Sequence, residues 1–309
     1  MQPEPSGVNT LMKILVIGGS GLIGSHVLRA AGAAGHAATG TYREFPQPGL
    51  VALEGADMAA ATALLNRETP DAVVHAAGWT WVDGCEDNPN RAFAENAAQP
   101  AQLAALCHAR NIRFAWFSSS YIFDGHAGPY TETAPANPIN VYGRSKWEGE
   151  QRVQAACAGE ALIARVICVY GAEPRGKNFA GQVWRALREG QTLTLPADQC
   201  GNPSYAGDIA RWLVALLEQR ECGVWHLAGP WPDCTRPQWA EKLVSAFAAA
   251  GVAPHPNFTI KTLPTSELKQ RALRPLRAGM RSARTAPFDF KATDFDESIS
   301  ELVRRTQAY

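Results

Sequence analysis

A doubly wound α/β fold, a parallel sheet with helices on both faces and a smaller, discontinuous cap, is what this sequence predicts. Three observations predict it. Short apolar runs too brief for helices alternate with segments of helical spacing, and such alternation needs right-handed crossovers that build a parallel sheet. The first run, inside KILVIGGSGLIGSHV (Lys13 to Val27), breaks at a cluster of glycines and resumes as a helical pattern, so it reads as strand, tight turn, helix. With 309 residues, 46% of them hydrophobic, the chain is long enough for one large domain or two smaller ones with a substantial core.

At the first turn Gly18 lets the chain reverse, Gly21 has no Cβ to hold a diphosphate off the backbone, and Gly24 lets the helix pack against the strand. Free N–H groups and the positive end of the helix dipole should face whatever anion sits there, which suits a dinucleotide. The spacing reads both as Gly18-x-x-Gly21-x-x-Gly24 and as Gly19-x-Gly21-x-x-Gly24, and so does not choose between dehydrogenase classes. Gly35 closes the first helix, and His36 to Tyr42 is a second strand. Its end offers Thr41, Tyr42 and Arg43, with no acid before Glu44 to accept a ribose 2′-hydroxyl. Arg43 suits a 2′-phosphate, hence NADP; a solvated loop arginine is the plain alternative.

Val51 to Ala56 is a third strand, ending at Asp57, and Asp71 to Gly78 (DAVVHAAG) a fourth. The small Ala76, Ala77 and Gly78 would let a cofactor lie against the backbone, and Asp57 could accept from an adenine amine. A helix from about Asn88 to Asn111 carries Asn96 among alanines and should kink at Pro100. Ile112 to Phe117 is the fifth strand and runs into Ser118, Ser119 and Ser120; the Pro- and Gly-rich Tyr121 to Asn140 reads as a long loop over the sheet edge. That loop leads to VYGRSKWEGE, where Tyr142 and Lys146 fall four apart on one helix face. A neighbouring ammonium and an oxidised nicotinamide ring both favour the phenolate, so together they should lower the pKa of Tyr142 and fit it to shuttle a proton, with Ser119 holding the reacting oxygen.

Lys plus Arg and Asp plus Glu are equal at 29 each, so overall charge gives no reason to expect nucleic acid or a membrane surface as partner. The seven cysteines are scattered, odd in number and never in a C-x-x-C pair, which fits buried thiols in a reducing compartment and argues against a zinc or other metal site. No run approaches the roughly 20 apolar residues of a membrane span. The opening MQPEPSGVNT lacks the order of a signal peptide and reads as a disordered leader to a cytoplasmic protein. His75, His108 and His226 lack any metal or catalytic motif and read as structural.

The glycine turn, the serine-tipped fifth strand and the Tyr-x-x-x-Lys helix occur in an order that resembles the extended short-chain dehydrogenase/reductases, in particular the dTDP-4-dehydrorhamnose reductase branch. KILVIGGSGLIG, AVVHAAGWTWVDGCE, AFAENAAQPAQLA, SSSYIFDG, PYTETAPANPINVYGRSKWEGE, NFAGQV, DQCGNPSYAGDIA and GVWHLAGP carry the likeness, from Lys13 to about Val303. The resemblance implies an NADP-dependent reductase of a 4-keto nucleotide-diphosphate sugar, with NAD as the other admissible cofactor. It implies Ser119, Tyr142 and Lys146 as the catalytic set. The candidate cofactor contacts are Gly18, Ser20, Gly21, Leu22, Ile23, Arg43, Asp57, Met58, Ala76, Ala77 and Gly78, with Tyr142 and Lys146.

Three departures fall on the substrate side. Ser118-Ser119-Ser120-Tyr121 stands where the branch usually has Ser-Thr-Asp-Tyr; Cys168 replaces an aromatic residue; and Arg274 to Met280 (RPLRAGM) replaces Arg-Pro-x-Asn-Ser-x-Leu. Leu162 to Tyr170 is a sixth strand, Asn178 to Arg188 a helix, and Gly223 to Leu227 a late strand after a helix beginning near Ala206. The dinucleotide-binding domain should span 12–170, rejoined by about 204–228, and the cap 171–309, in pieces of about 171–203 and 229–309. Candidate substrate contacts are Trp81, with Trp79 beside it as a stacking or core aromatic, and Ser120, Tyr121, Asn178 and Arg274. Arg274 belongs to a run of six basic residues (Lys269, Arg271, Arg274, Arg277, Arg281, Arg284), which otherwise reads as a solvated loop balanced by Asp289, Asp294, Asp296 and Glu297. Two other functions fit the same motifs: an NAD-retaining nucleotide-sugar epimerase or dehydratase, and a non-catalytic dinucleotide-binding subunit resembling the regulatory subunit of methionine adenosyltransferase. A homodimer is allowed by the sequence and not required by it.

Overall fold

The computed structural model describes residues 11–230, 233–286 and 289–306; the leader read in MQPEPSGVNT lies outside them. Along the chain, β1 (Lys13–Ile17), α1 (Leu22–Ala33), β2 (Ala37–Tyr42), β3 (Leu50–Ala52) and α2 (Met58–Glu68) come first. Next are β4 (Ala72–His75), α3 (Val82–Asp87), α4 (Pro89–Phe93), a π-helical turn at Ala94–Ala98, α5 (Gln99–His108), β5 (Arg113–Ser119), α6 (Val141–Ala156) and β6 (Leu162–Val166). After β7 (Val169–Tyr170) follow α7 (Phe179–Glu189), β8 (Thr192–Pro196), β9 (Cys200–Gly201), β10 (Ser204–Tyr205), α8 (Ala206–Glu218) and β11 (Gly223–His226). The last elements are β12 (Cys234–Thr235), α9 (Arg236–Ala249), β13 (Thr259–Leu263) and α10 (Phe295–Thr306).

Seven strands form one parallel sheet in the order β11, β6, β5, β4, β1, β2, β3. Because side chains alternate across a strand, the central strands divide their residues between two cores. Ile14, Val16, Val74, Phe117 and Leu162 pack on one face with Val27 of α1 and Ile209 and Leu213 of α8. Leu15, Ile17, Val73, Trp116 and Ile163 pack on the other with Leu64 and Leu65 of α2, Leu103 of α5 and Val153 of α6. A third cluster joins α7, α9 and α10 through Trp184, Leu187, Trp239, Leu243, Phe247, Ile299 and Leu302, beside the parallel pair β8 and β13. It lies in the stretches expected to form the cap.

The expected kink takes a specific form. Pro100 has no N–H to give, and the chain widens into the π turn at Ala94–Ala98 just before it. Two strand readings are corrected. The third strand stops at Ala52, and the chain bends before Asp57. The sixth breaks after Val166: Cys168 takes a left-handed backbone, φ +44, so β7 leaves the sheet and pairs with β10. The expectation of buried thiols holds for Cys85, Cys107 and Cys157, while Cys222 is exposed.

Candidate active site

The cofactor cleft opens at the C-terminal ends of β1, β2 and β4. Gly18 sits at φ +84, where a side chain would be strained, and a Cβ on Gly24 would collide with the Gly18 carbonyl. The residues needed for that turn are therefore glycines. Its N–H groups are less free than the sequence suggests: Gly18 N donates to Thr41 Oγ1 (3.1 Å), Ser20 N to the Thr41 carbonyl (3.3 Å) and Gly21 N to the Gly18 carbonyl (3.0 Å). Thr41 thus clasps the turn to the end of β2. The first turn of α1 has neither a side-chain cap nor an acid, so its positive end is left for an anion.

Gly18, Ser20, Gly21, Arg43, Ala76, Ala77 and Gly78 line this cleft, as expected of cofactor residues. Others are used differently. Asp57 caps α2 by accepting from Ala60 N (2.8 Å), Met58 opens that helix, and Ile23, next to Leu22 at the start of α1, packs on the core. Arg43 is already paired, with Glu95 at 3.1 Å and Glu44 at 2.9 Å. His75, expected to be only structural, lines the cleft; burial pushes its pKa down to about 4, so the ring is neutral.

The catalytic candidates come together at the start of α6. Asn140 caps that helix, its Oδ1 accepting from Gly143 N (2.7 Å), and Glu86 accepts from Val141 N (2.8 Å), which fixes the first turn. Tyr142 is buried, with the Ser119 side chain acting on its hydroxyl and its ring edge-on to Tyr121 with centroids 5.4 Å apart. Lys146, one turn on, donates from Nζ to the Phe117 carbonyl (2.8 Å) and stands 4.4 Å over the Trp116 ring. It adjoins the cofactor cleft, since a Cβ on Gly78 would lie 3.5 Å from its Nζ.

The part of the expected lowering of the Tyr142 pKa assigned to Lys146 is not seen. Burial raises the phenol above its usual range, the Ser119 side chain offsets only part of this, and the Lys146 ammonium is turned to Phe117 and Trp116. Tyr142 is thus held protonated. Lys146 itself is pushed down to about 7 by burial, Glu150 opposing the fall.

Asn96 is the positioning residue that sequence reasoning left without a role. Fully buried in the π turn, it accepts from Trp79 N (2.9 Å) and donates to the Trp79 carbonyl (2.9 Å) and to Ser145 Oγ (3.1 Å), tying the segment after β4 to α6. The available signal was a lone amide in an alanine run just before an in-helix proline.

On the substrate side, Ser120 is buried in a 3-10 turn, and burial raises the Tyr121 phenol while the charges of Arg274 and Arg236 oppose the rise. Trp81 is 65% exposed, whereas Trp79 packs inside with Arg91 4.4 Å over its ring. Asn178 is not brought to the site: its Oδ1 caps α7 and its Nδ2 donates to Gly171 and Glu173, so its polar atoms are spent on the loop. Arg274 is nearby but already bonded to Asp83 (2.9 Å) and the Ala272 carbonyl (3.0 Å). The basic segment finds its acids on α3 and before β11, not near the C-terminus as expected: Arg271 pairs with Asp87 and Arg284 with Glu221, because the segment folds back across α3 and the sheet edge.

A family model described as the RmlD substrate binding domain matches residues 12–308. The chain is 35% identical over 275 residues to a probable low-salt glycan biosynthesis reductase of Haloferax volcanii, covering 86% of this chain and 89% of that one. It is 30% identical over 311 residues to a dTDP-4-dehydrorhamnose reductase of Burkholderia thailandensis, covering 95% and 98%. The crystal structure of a hypothetical dTDP-4-dehydrorhamnose reductase from Sulfolobus tokodaii superposes with a TM-score of 0.79 at 28% identity, over 92% of this chain and 98% of that one.

Proposed function

The chain belongs to the RmlD substrate binding domain family, and from that premise we propose that it is an NADP-dependent reductase of a 4-keto nucleotide-diphosphate sugar. The observation that carries the proposal is the hydroxyl pair of Ser119 and Tyr142, with Lys146 one turn away beside Gly78 at the cofactor cleft. Gly18, Gly21, Ala76, Ala77 and Gly78 fit a dinucleotide, since they line the cleft with nothing larger than a methyl group. When bound, NADPH supplies the hydride.

The chain's own residues do the rest. Ser119 orients the sugar carbonyl oxygen through its hydroxyl, and Tyr142, kept protonated by burial, gives that oxygen its proton. Lys146 holds the nicotinamide ribose. Arg43 turns from Glu95 to the 2′-phosphate, and Arg274 turns from Asp83 to the substrate diphosphate. Tyr121 and Trp81 line the sugar pocket, and Ser120 fills a place where the related reductases carry a carboxylate. Among the described residues no helix is long and apolar enough to cross a membrane, and we place the reaction in the cytoplasm.

Mixing the protein with NADPH or NADH and a panel of 4-keto nucleotide sugars, and following absorbance of the reduced nicotinamide, tests this. Oxidation of NADPH by at least one sugar, lost in Tyr142→Phe with dinucleotide binding kept, is the expected result. Dinucleotide binding without oxidation by any of the sugars would replace a reductase with a binding subunit, and NAD that survives purification without net consumption would point to an epimerase.

A further inference from the structure

A bound dinucleotide carries a diphosphate that the glycine turn meets with few free donors, since the N–H groups of Gly18, Ser20 and Gly21 already bond within the protein. Two arginines line the cleft, Arg43 and Arg175, together with the acids Glu44 and Glu95. Arg43 is bonded to both acids. Arg175 is the less committed: its Nη2 stands 3.8 Å from Glu173, and its buried Nε has no hydrogen-bond partner.

The same side chain faces the glycine turn. A Cβ built on Gly21 would lie 4.0 Å from Arg175 Nη2, so the guanidinium stands across the narrow opening from the glycine whose bareness admits the diphosphate. The loop that presents it is stiffened from within. Glu173 accepts from Lys177 N and Asn178 N (3.0 Å each), and Arg185 donates to the Arg175 and Gly176 carbonyls (3.4 Å each). These anchors lie in α7 and the stretch that leads into it, on the opposite side of the cleft from β1 and α1.

We infer that Arg175 clamps the cofactor diphosphate from the α7 side, its Nη2 donating to a phosphate oxygen opposite the start of α1. This rests on the cofactor reading of the cleft and adds a residue from a stretch that sequence reasoning assigned to the cap. The diphosphate is common to NADPH and NADH, so Arg175 serves both equally, whereas Arg43 serves the 2′-phosphate alone.

Equilibrium titration of the full chain with NADPH and NADH, read by quenching of tryptophan fluorescence, tests the assignment in wild type, Arg175→Ala, Arg175→Gln and Arg43→Ala. Loss of a charge-assisted contact of this kind predicts dissociation constants raised about 10- to 100-fold in Arg175→Ala, by the same factor for both dinucleotides. Arg43→Ala should raise only that for NADPH. Arg175→Gln keeps most of the side-chain volume and gives the answer should the alanine variant melt early. Wild-type binding left within about twofold in both Arg175 variants, or lost for NADPH only, overturns the clamp while leaving the cofactor site standing. A wild type that binds neither dinucleotide overturns both.

Discussion

Two successive turns of α6 hold a buried cation against the sheet, and they do so differently. In the second turn Lys146 has a carbonyl and the face of an indole as partners, and burial pushes its pKa to about 7. One turn later, Glu150 receives the fork of Arg165 from β6 at 2.9 and 2.7 Å, with both side chains buried and the remaining guanidinium N–H bonds going to Glu132 and His226. The second cation has its charge paired and all three of its nitrogens bonded; the first is left poised. Where an ion pair fixes a helix, charge is cancelled locally, and where a site must exchange partners it is not.

Four outcomes would break or sharpen that comparison. The largest effect should come from Tyr142→Phe, which keeps the ring packing on Tyr121 and lowers turnover at saturating substrate by about 10²- to 10⁴-fold. Unchanged turnover would remove the first turn of α6 from the chemistry.

Glu150→Ala should cost about 3–5 kcal/mol in urea unfolding, because Arg165 would stay buried without its counter-charge. A cost below about 1 kcal/mol would mean that this pair is no more than a surface contact.

Lys146→Met tests the poised cation through pH. The folded pKa of about 7 lies below that of an unfolded lysine, about 10.4, so between these values the unfolded chain binds more protons. The stability of the wild type therefore rises as pH climbs from 7 toward 10, and the buried charge is most costly below pH 7. The methionine variant should gain melting temperature most near pH 6.5 and least near pH 10; a gain independent of pH would deny the burial cost assigned to Lys146.

The smallest effect concerns Arg43, partly exposed and paired with Glu95. Glu95→Gln should leave it paired with Glu44 alone and tighten NADPH binding by a few-fold at most, since exposed pairs are worth about 1 kcal/mol or less. Weaker binding would show that Glu95 positions the arginine instead of competing for it.

Much of this site was legible along the chain. The glycines at 18, 21 and 24, the small residues at 76–78, and the four-residue step from Tyr142 to Lys146 each encode a local requirement: a positive φ, a close approach, one helix face. What escaped reading depended on partners far away. Arg175 carried no motif, and only the fold sets it opposite Gly21. The Lys146 ammonium was expected to act on Tyr142, a statement about proximity that ignored how strongly the Phe117 carbonyl would hold it.

By itself the sequence determined the parallel sheet and its crossovers, the turn that admits a diphosphate, and the pairing of a phenol with an amine on α6, because periodicity and glycine placement act within a few residues of themselves. Tertiary structure alone decided which polar groups were left over. Hydrogen-bond satisfaction and desolvation depend on every atom within a few ångströms, so the same arginine or asparagine is a cap, an ion pair or an unmet donor according to neighbours brought from elsewhere in the chain.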